Sequence, residues 1–117
     1  MSQQNEGLKT FVANEALEAF RRVKLDTSSG TNVVYADGGD AYIGITQEKV
    51  ASGDDVVIRL KTSGKTFKMV AAEPFVVGAT LYGAVDGKVK DTASGTAQGT
   101  ALEAATADED IVEVLPA

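Results

Sequence analysis

Short apolar runs separated by turn-forming clusters recur along the whole chain, and within the runs apolar and polar positions alternate with the period of a strand rather than a helix. The densest stretch runs from Phe75 to Leu115. In it Leu81-Tyr82-Gly83-Ala84-Val85 and Lys88-Val89-Lys90 flank Asp86-Gly87. That pair predicts a hairpin, because a type I′ turn needs positive φ at both central positions. A run of small residues after Gly99 leads to the acidic knuckle Asp108-Glu109-Asp110 and then to a strand over Ile111–Leu115, ended by Pro116.

Upstream, Val56–Lys61 and Thr66–Ala71 flank Thr62-Ser63-Gly64-Lys65 and predict a second hairpin, with Phe67, Met69 and Ala71 on one face. Arg59, Lys61, Lys65 and Lys68 make its outer side basic, and Pro74 separates it from the closing stretch. Ala41–Thr46 predicts a strand between the loops at 36–40 and 50–55. Asn14–Leu25 reads two ways. Asn14 is a helix cap with Leu17, Phe20 and Leu25 loosely on one face, or alternation makes a strand over Phe20–Leu25. The turn cluster Asp26–Gly30 followed by Asn32–Tyr35 favours the strand and a hairpin, leaving room for a short helix at Asn14–Ala19.

Residues 1–13 are polar with isolated apolar positions, and such a segment buries too little surface to order itself alone. It reads as a frayed terminus, or as an arm (Leu8, Lys9, Thr10, Phe11, Val12) that orders on a partner by adding a strand to a neighbour's sheet edge. The spacing of landmarks repeats. Gly44 is followed after eleven residues by Asp55 and, five further on, Leu60; Gly99 is followed after eleven by Asp110 and, five further on, Leu115. Tyr35 and Tyr82 each precede their glycine at the end of an apolar run, with a longer insert (Lys88–Gly95) in the second copy. Chance likeness between two Gly/Ala/Asp-rich strings is one account, and an internal duplication over about 20–72 and 73–117 is the other. The expected fold is mainly β: a small compact antiparallel β-barrel or sandwich of two similar units. It forms one domain over 14–117 with an extended N-terminal arm over 1–13 and at most one short helix.

Composition narrows function more than fold. The 117 residues hold no Cys, His or Trp, which removes thiolate and imidazole metal ligands and every His-based nucleophile activation. No cofactor site is expected, and an enzyme is disfavoured because no nucleophile has a visible activating base. No run reaches the roughly 20 apolar residues of a membrane span, and the polar start is unlike a secretory signal, so synthesis in a cytoplasm is expected. Net charge is −6, all of it downstream: residues 1–72 carry nine acidic and nine basic side chains, residues 73–117 eight acidic and two basic (Lys88, Lys90). Such a half repels phosphates and anionic headgroups, so neither nucleic acid nor membrane is an expected partner.

Two motifs carry chemistry on paper. Ser63-Gly64-Lys65-Thr66 resembles the end of a phosphate-binding loop, but that pattern needs a glycine where Arg59 stands, and a helix where a strand pattern follows. Asp37, Asp40, Asp54 and Asp55, and separately Asp108, Glu109 and Asp110, lack the spacing of a calcium loop and read as carboxylates capping their own turns.

The words Gly78-Ala-Thr-Leu-Tyr-Gly-Ala-Val-Asp-Gly-Lys-Val89, Asp91-Thr-Ala-Ser-Gly95 and Gly99 to Leu115 resemble the capsid decoration (cement) proteins of tailed bacteriophages. Val23-Lys-Leu-Asp26, Val33-Val-Tyr-Ala-Asp37 and Gly39-Asp-Ala-Tyr-Ile-Gly-Ile-Thr46 fit as well. This resemblance implies a small β-rich protein of the virion, without cofactor or catalytic residues. It would trimerise on the outside of an expanded head at three-fold and quasi-three-fold positions and bridge neighbouring major capsid proteins. On that reading Leu8–Val12 would grasp the capsid. The alternative is a head-fibre or tail accessory β domain that binds a host surface or carbohydrate, against which the scarcity of sugar-stacking aromatics argues.

Overall fold

A computed structural model describes residues 7–26, 30–38, 40–63 and 66–116. The alternating runs form ten strands. The first five are β1 (Leu8–Ala13), β2 (Arg22–Leu25), β3 (Asn32–Tyr35), β4 (Gly44–Thr46) and β5 (Asp55–Leu60), and they close a barrel in the order β1-β3-β2-β4-β5. The second five are β6 (Phe67–Val70), β7 (Thr80–Gly83), β8 (Val89–Lys90), β9 (Gly99–Ala101) and β10 (Ile111–Pro116), a sheet in the order β6-β10-β9-β7-β8. A parallel bridge between Ala71 and Val89 draws the two ends of that sheet together into a half-barrel. Helical structure among the described residues is limited to two single 3₁₀ turns, Lys61–Ser63 and Val85–Gly87.

The two units share one topology. In both, the first and last strands pair antiparallel (Val12 with Asp55, Val70 with Ile111). In both, the end of the first strand meets the third in parallel (Ala13 with Val33, Ala71 with Val89). Leu17 bridges Val50 as Phe75 bridges Ala105. Gly44 and Gly99 also do the same work: a Cβ on Gly44 would lie 2.4 Å from the Arg59 carbonyl oxygen, and one on Gly99 2.7 Å from that of Leu115. The glycine landmarks of the sequence therefore mark equivalent places. The others do not: Asp55 is structurally equivalent to Ile111 rather than Asp110, and Tyr35 lies in β3 whereas Tyr82 lies in β7, the counterpart of β2. The units run from Leu8 to Leu60 and from Phe67 to Pro116, so the expected division at 72/73 falls inside the second.

Three further expectations are corrected. The N-terminal segment is no free arm over Leu8–Ala13: this is β1, laddered to β5 from Leu8↔Arg59 to Val12↔Asp55, with Phe11 and Ala13 buried in the first core. Two apolar side chains at alternate positions suffice once a barrel is there to receive them, which local composition does not reveal. Asn14–Ala19 forms no helix; Leu17 instead fills the first core, and β2 starts at Arg22 because Phe20 adopts φ 62°, which ends extended pairing. The turn at Thr62–Lys65 joins no hairpin, since β5 is paired on both edges, by β1 and β4, and β6 pairs with β10. Gly64 and Lys65 lie outside the described residues. The Asp86-Gly87 hairpin forms as its chemistry demands. Asp86 (φ 57°) and Gly87 (φ 72°) make the turn, closed by the Lys88 N–H donating to the Val85 carbonyl, between β7 and β8.

The units are fastened by Arg22, fully buried at the start of β2. Its guanidinium donates to the carbonyls of Ala36 (2.7 Å), Ala84 (2.9 Å) and Lys88 (3.1 Å), the last two belonging to the second unit. It lies 5.9 Å from the Tyr42 ring centroid, and a Cβ on Gly83 would come within 3.0 Å of its two terminal nitrogens. Burial lowers its pKa to about 10, opposed by Tyr42, Asp37 and Asp40, and burial likewise pushes the Tyr42 hydroxyl up to about 12. Around this fork Ala36, Tyr42 and Ile45 of the first unit pack into one core with Phe67, Met69, Leu81, Val89 and Val112 of the second.

Of the carboxylates expected to cap their own turns, Asp40 and Asp110 do so, whereas Asp37 reaches Asp86 and Asp108 and Glu109 pair with cations. Asp110 accepts from the Thr106 N–H (2.8 Å) and hydroxyl (2.9 Å) and from the Ala107 N–H, which lowers its pKa. Lys24, at 2.8 Å, lowers that of Asp40. The pKa of Glu73 is lowered by hydrogen bonding to Asp91 and Thr92, while that of Asp91 is raised by the same contact with Glu73. The Asp37 carboxylate accepts from the Asp86 N–H at 3.0 Å, crossing from one unit to the other.

Three outcomes follow. Arg22→Ala strands the buried carbonyls of Ala36 and Ala84, while that of Lys88 keeps the Ala84 N–H, and should lower unfolding stability in urea by about 3 kcal/mol or more; a loss below about 1 kcal/mol would contradict the fastening role. Deleting residues 1–13 removes β1 and should abolish cooperative thermal unfolding, whereas a melting curve like that of the intact chain would show β1 to be dispensable. Asp40, Glu73 and Asp110 have folded pKa values below their unfolded ones, so their contribution is complete above the unfolded values and is lost as pH falls through the folded ones. Asp91 acts in the opposite direction. With no histidine, Tm should stay flat from pH 8 to 6 and fall below about pH 4, where carboxylates of ordinary pKa begin to protonate; a step in Tm between pH 6 and 8 would refute this.

Candidate functional site

The residues expected to grasp a partner, Leu8–Val12, lie on the barrel wall. Lys9 and Thr10 are exposed, Leu8 and Val12 half-buried and Phe11 buried, with the Lys9 ammonium 5.8 Å from the Phe11 ring centroid. The backbone of this strand is laddered to β5, and the Val12 N–H donates to the Thr31 carbonyl. One edge of β1 is thus paired along β5, while β3 engages the other edge at Val12 and Ala13.

The structure brings two of the four expected basic residues together. Arg59 and Lys68 line a groove of about 620 Å³ between the units with Phe20, Gln47, Thr66, Phe67 and Glu113. Lys61 instead lies 4.9 Å from the Tyr42 ring centroid, and Lys65 is outside the described residues. The groove's carboxylate, Glu113, accepts from the Thr66 hydroxyl and faces Lys68 across the β6–β10 ladder. One carboxylate thus stands against two cations, and the groove is weakly basic. The phosphate-loop-like Ser63–Thr66 leads into strand β6, as its alternation predicts.

The acidic knuckle is likewise engaged. Lys88 reaches Asp108 at 3.0 Å and also pairs with Glu109, contacts that raise its pKa, Glu109 contributing most. Arg21 of the first unit reaches Glu109 at 3.4 Å, and its guanidinium donates to the Asp86 carbonyl at 2.9 Å. The knuckle therefore closes the seam between units. Among the described residues no group of three or more acidic side chains is arranged to hold a metal ion.

What remains outward and unexplained is apolar. Val76, Val77, Val85, Leu102, Ile111 and Leu115 are exposed in the second unit, against Leu25 alone among large apolar side chains of the first. Val76 and Val77 are 71% and 64% exposed. They stand on a turn over 76–79, where the Ala79 N–H donates to the Val76 carbonyl and Gly78 takes φ 87°. The Gly78 N–H donates to the Ala101 carbonyl at 2.8 Å, tying the turn beside β9 and Leu102. Leu115 projects from β10 opposite Thr100. Glu103 and Glu113 rim this surface, the Glu113 N–H donating to the Glu103 carboxylate. The turn valines with Leu102 beside them are exposed apolar side chains of the kind that mark a contact surface. The sequence held a signal for it that periodicity overlooks: adjacent valines before a glycine cannot both turn inward.

The architecture has a counterpart among solved structures. The crystal structure of the head fiber gp8.5 N base in bacteriophage phi29 superimposes with a TM-score of 0.79 at 19% sequence identity, covering 94% of this chain and 92% of that one. At that identity the likeness speaks for the fold. No curated protein sequence matches the chain significantly. A match of another kind spans nearly the whole chain: residues 2–116 fit the sequence model of the phage cement proteins, and the chain belongs to that family.

Proposed function

We propose that this protein coats the outer surface of an expanded phage head, sitting as a homotrimer at three-fold and quasi-three-fold positions and bridging neighbouring major capsid proteins. Its membership of the cement family, over residues 2–116, carries this reading. The family makes it a capsid-associated structural component of the virion. Two features of the chain agree with that. Asp110 serves a turn, and Arg21, Lys88, Asp108 and Glu109 serve the seam between units, so these charged groups act as scaffold. The surface offers apolar side chains on a rigid β scaffold, which suits a small contact repeated many times over a shell, where linked contacts reinforce one another. Of β1, Lys9 and Thr10 are the residues exposed enough to reach the shell.

A second reading takes the chain as the base of a head fibre, favoured by its likeness to the phi29 fibre base. It differs in what the protein is for, namely carrying an outward-facing binder rather than tightening the shell.

The two part in one experiment. Expanded empty heads made without the protein are mixed with it, sedimented and imaged by cryo-EM, and their rupture temperature is measured. Cementing predicts density at three-fold and quasi-three-fold positions and a higher rupture temperature. Density on heads without any gain in strength would favour the fibre base, and absence of density would reject both.

A further inference from the structure

The chain contains the same turn twice, and only one copy is covered. In the first unit, residues 18–21 form it: Phe20 has φ 62°, its N–H donates to the Thr46 carbonyl at 3.0 Å, and the Arg21 carbonyl accepts from the Thr46 N–H at 2.9 Å. In the second, residues 76–79 form it: Gly78 has φ 87°, its N–H donates to the Ala101 carbonyl at 2.8 Å, and the Ala79 carbonyl accepts from the Ala101 N–H at 2.9 Å. The first turn is seated on a strand edge. The Phe20 carbonyl accepts the Val70 N–H of β6 at 3.2 Å, on the side of β6 facing away from β10. A bulky residue holds positive φ only where its surroundings insist on it, and here that contact is the fixture.

The second turn has no such seat. Among the described residues no backbone N–H reaches the Gly78 carbonyl. The side chains flanking it are Val76 and Val77, where the first turn carries Glu18 and Ala19. Turns that face water select polar residues, so two valines there invert the usual choice. The part of the chain that bears them is acidic as a whole: residues 73–117 carry eight carboxylates against two lysines, and Glu103 follows directly on Leu102.

We propose that the Val76–Ala79 turn, with Leu102 beside it, docks onto an exposed strand edge set in a basic surface of a partner protein, as the 18–21 turn docks onto β6 within the chain. The inference rests on the capsid reading and names the face that meets the shell. Charge chooses the occupant. A second copy meeting this face with its own acidic part would be repelled, and so would phosphates or anionic lipid, whereas lysines and arginines around a strand edge would complement it.

The test compares intact protein with Val76→Asn/Val77→Asn and with Leu25→Asn, an exposed apolar control in the first unit. The probe is expanded empty heads of the phage that encodes this chain, prepared without it. The valine variant should melt like the intact protein, since both replaced side chains already face water, and the leucine control, 39% exposed, need only remain folded at the assay temperature. The half-saturating concentration should rise about tenfold or more for the valine variant, as expected when two valines lose their burial, and stay unchanged for the leucine control. Occupancy of the intact protein should also fall as NaCl rises from about 50 to 500 mM, through screening. If intact protein and valine variant coat heads equally, or salt has no effect, the inference fails while the capsid reading stands. If intact protein does not bind heads, both fail. If sedimentation velocity shows a self-associated form that the valine variant dissolves, the occupant is a second copy and the basic partner is refuted.

Discussion

One buried cation holds two β units together. Arg22 carries a full charge into the core without a carboxylate in hydrogen-bonding contact, and three backbone carbonyls take the place of one. Desolvating a guanidinium is costly; fixed carbonyl dipoles replace water at Nε and Nη2, while Nη1 is buried without a hydrogen-bond partner among the described residues. Two of the carbonyls sit on either side of the Asp86-Gly87 hairpin, so the turn's shape is a condition of the charge being there. Gly83 is small for the same reason, since a methyl group would strike the guanidinium.

From that constraint comes the asymmetry between units of like topology. The first closes completely, and closure removes the edges that invite pairing. The second remains a half-barrel because β8 is two residues long and meets the β6 strand end only at Ala71 and Val89. Its open side is filled by the first unit: Phe20 caps the β6 edge, Arg21 and Arg22 engage the β7–β8 turn, and Tyr42 enters the second core, its hydroxyl donating to the Gln98 carbonyl. The second unit thus leans on the first, and its 76–79 turn carries exposed valines that no part of the described chain covers.

Such a molecule suits work done by surfaces. Asp110, Lys88, Arg21 and Glu109 are committed to a turn and to the seam, and the groove between the units sets one carboxylate, Glu113, against Arg59 and Lys68. Membership of the cement family agrees with a chain whose chemistry is spent on rigidity.

Sequence alone was enough for whatever is local. Alternation marked β5, β6 and β10, the Asp-Gly pair marked its own turn through positive φ, and the carboxylates beside Thr106 and Ala107 marked a capped loop, because each depends on neighbours a few residues away. The absence of His and Cys removed whole classes of chemistry without any geometry. Only the tertiary structure decided which strand lies beside which. Leu8–Ala13 looks too polar to fold until β5 and β3 are present to flank it, and the Thr62–Lys65 turn looks like a hairpin until both edges of β5 prove occupied. Arg22 reads as one more surface cation of a strand, because the three carbonyls that bury it come from 14, 62 and 66 residues away. Periodicity reports which face of a strand is apolar; it holds no information about the distant backbone that will satisfy a charge, and that long-range match selects the fold's junction and leaves its outer surface free.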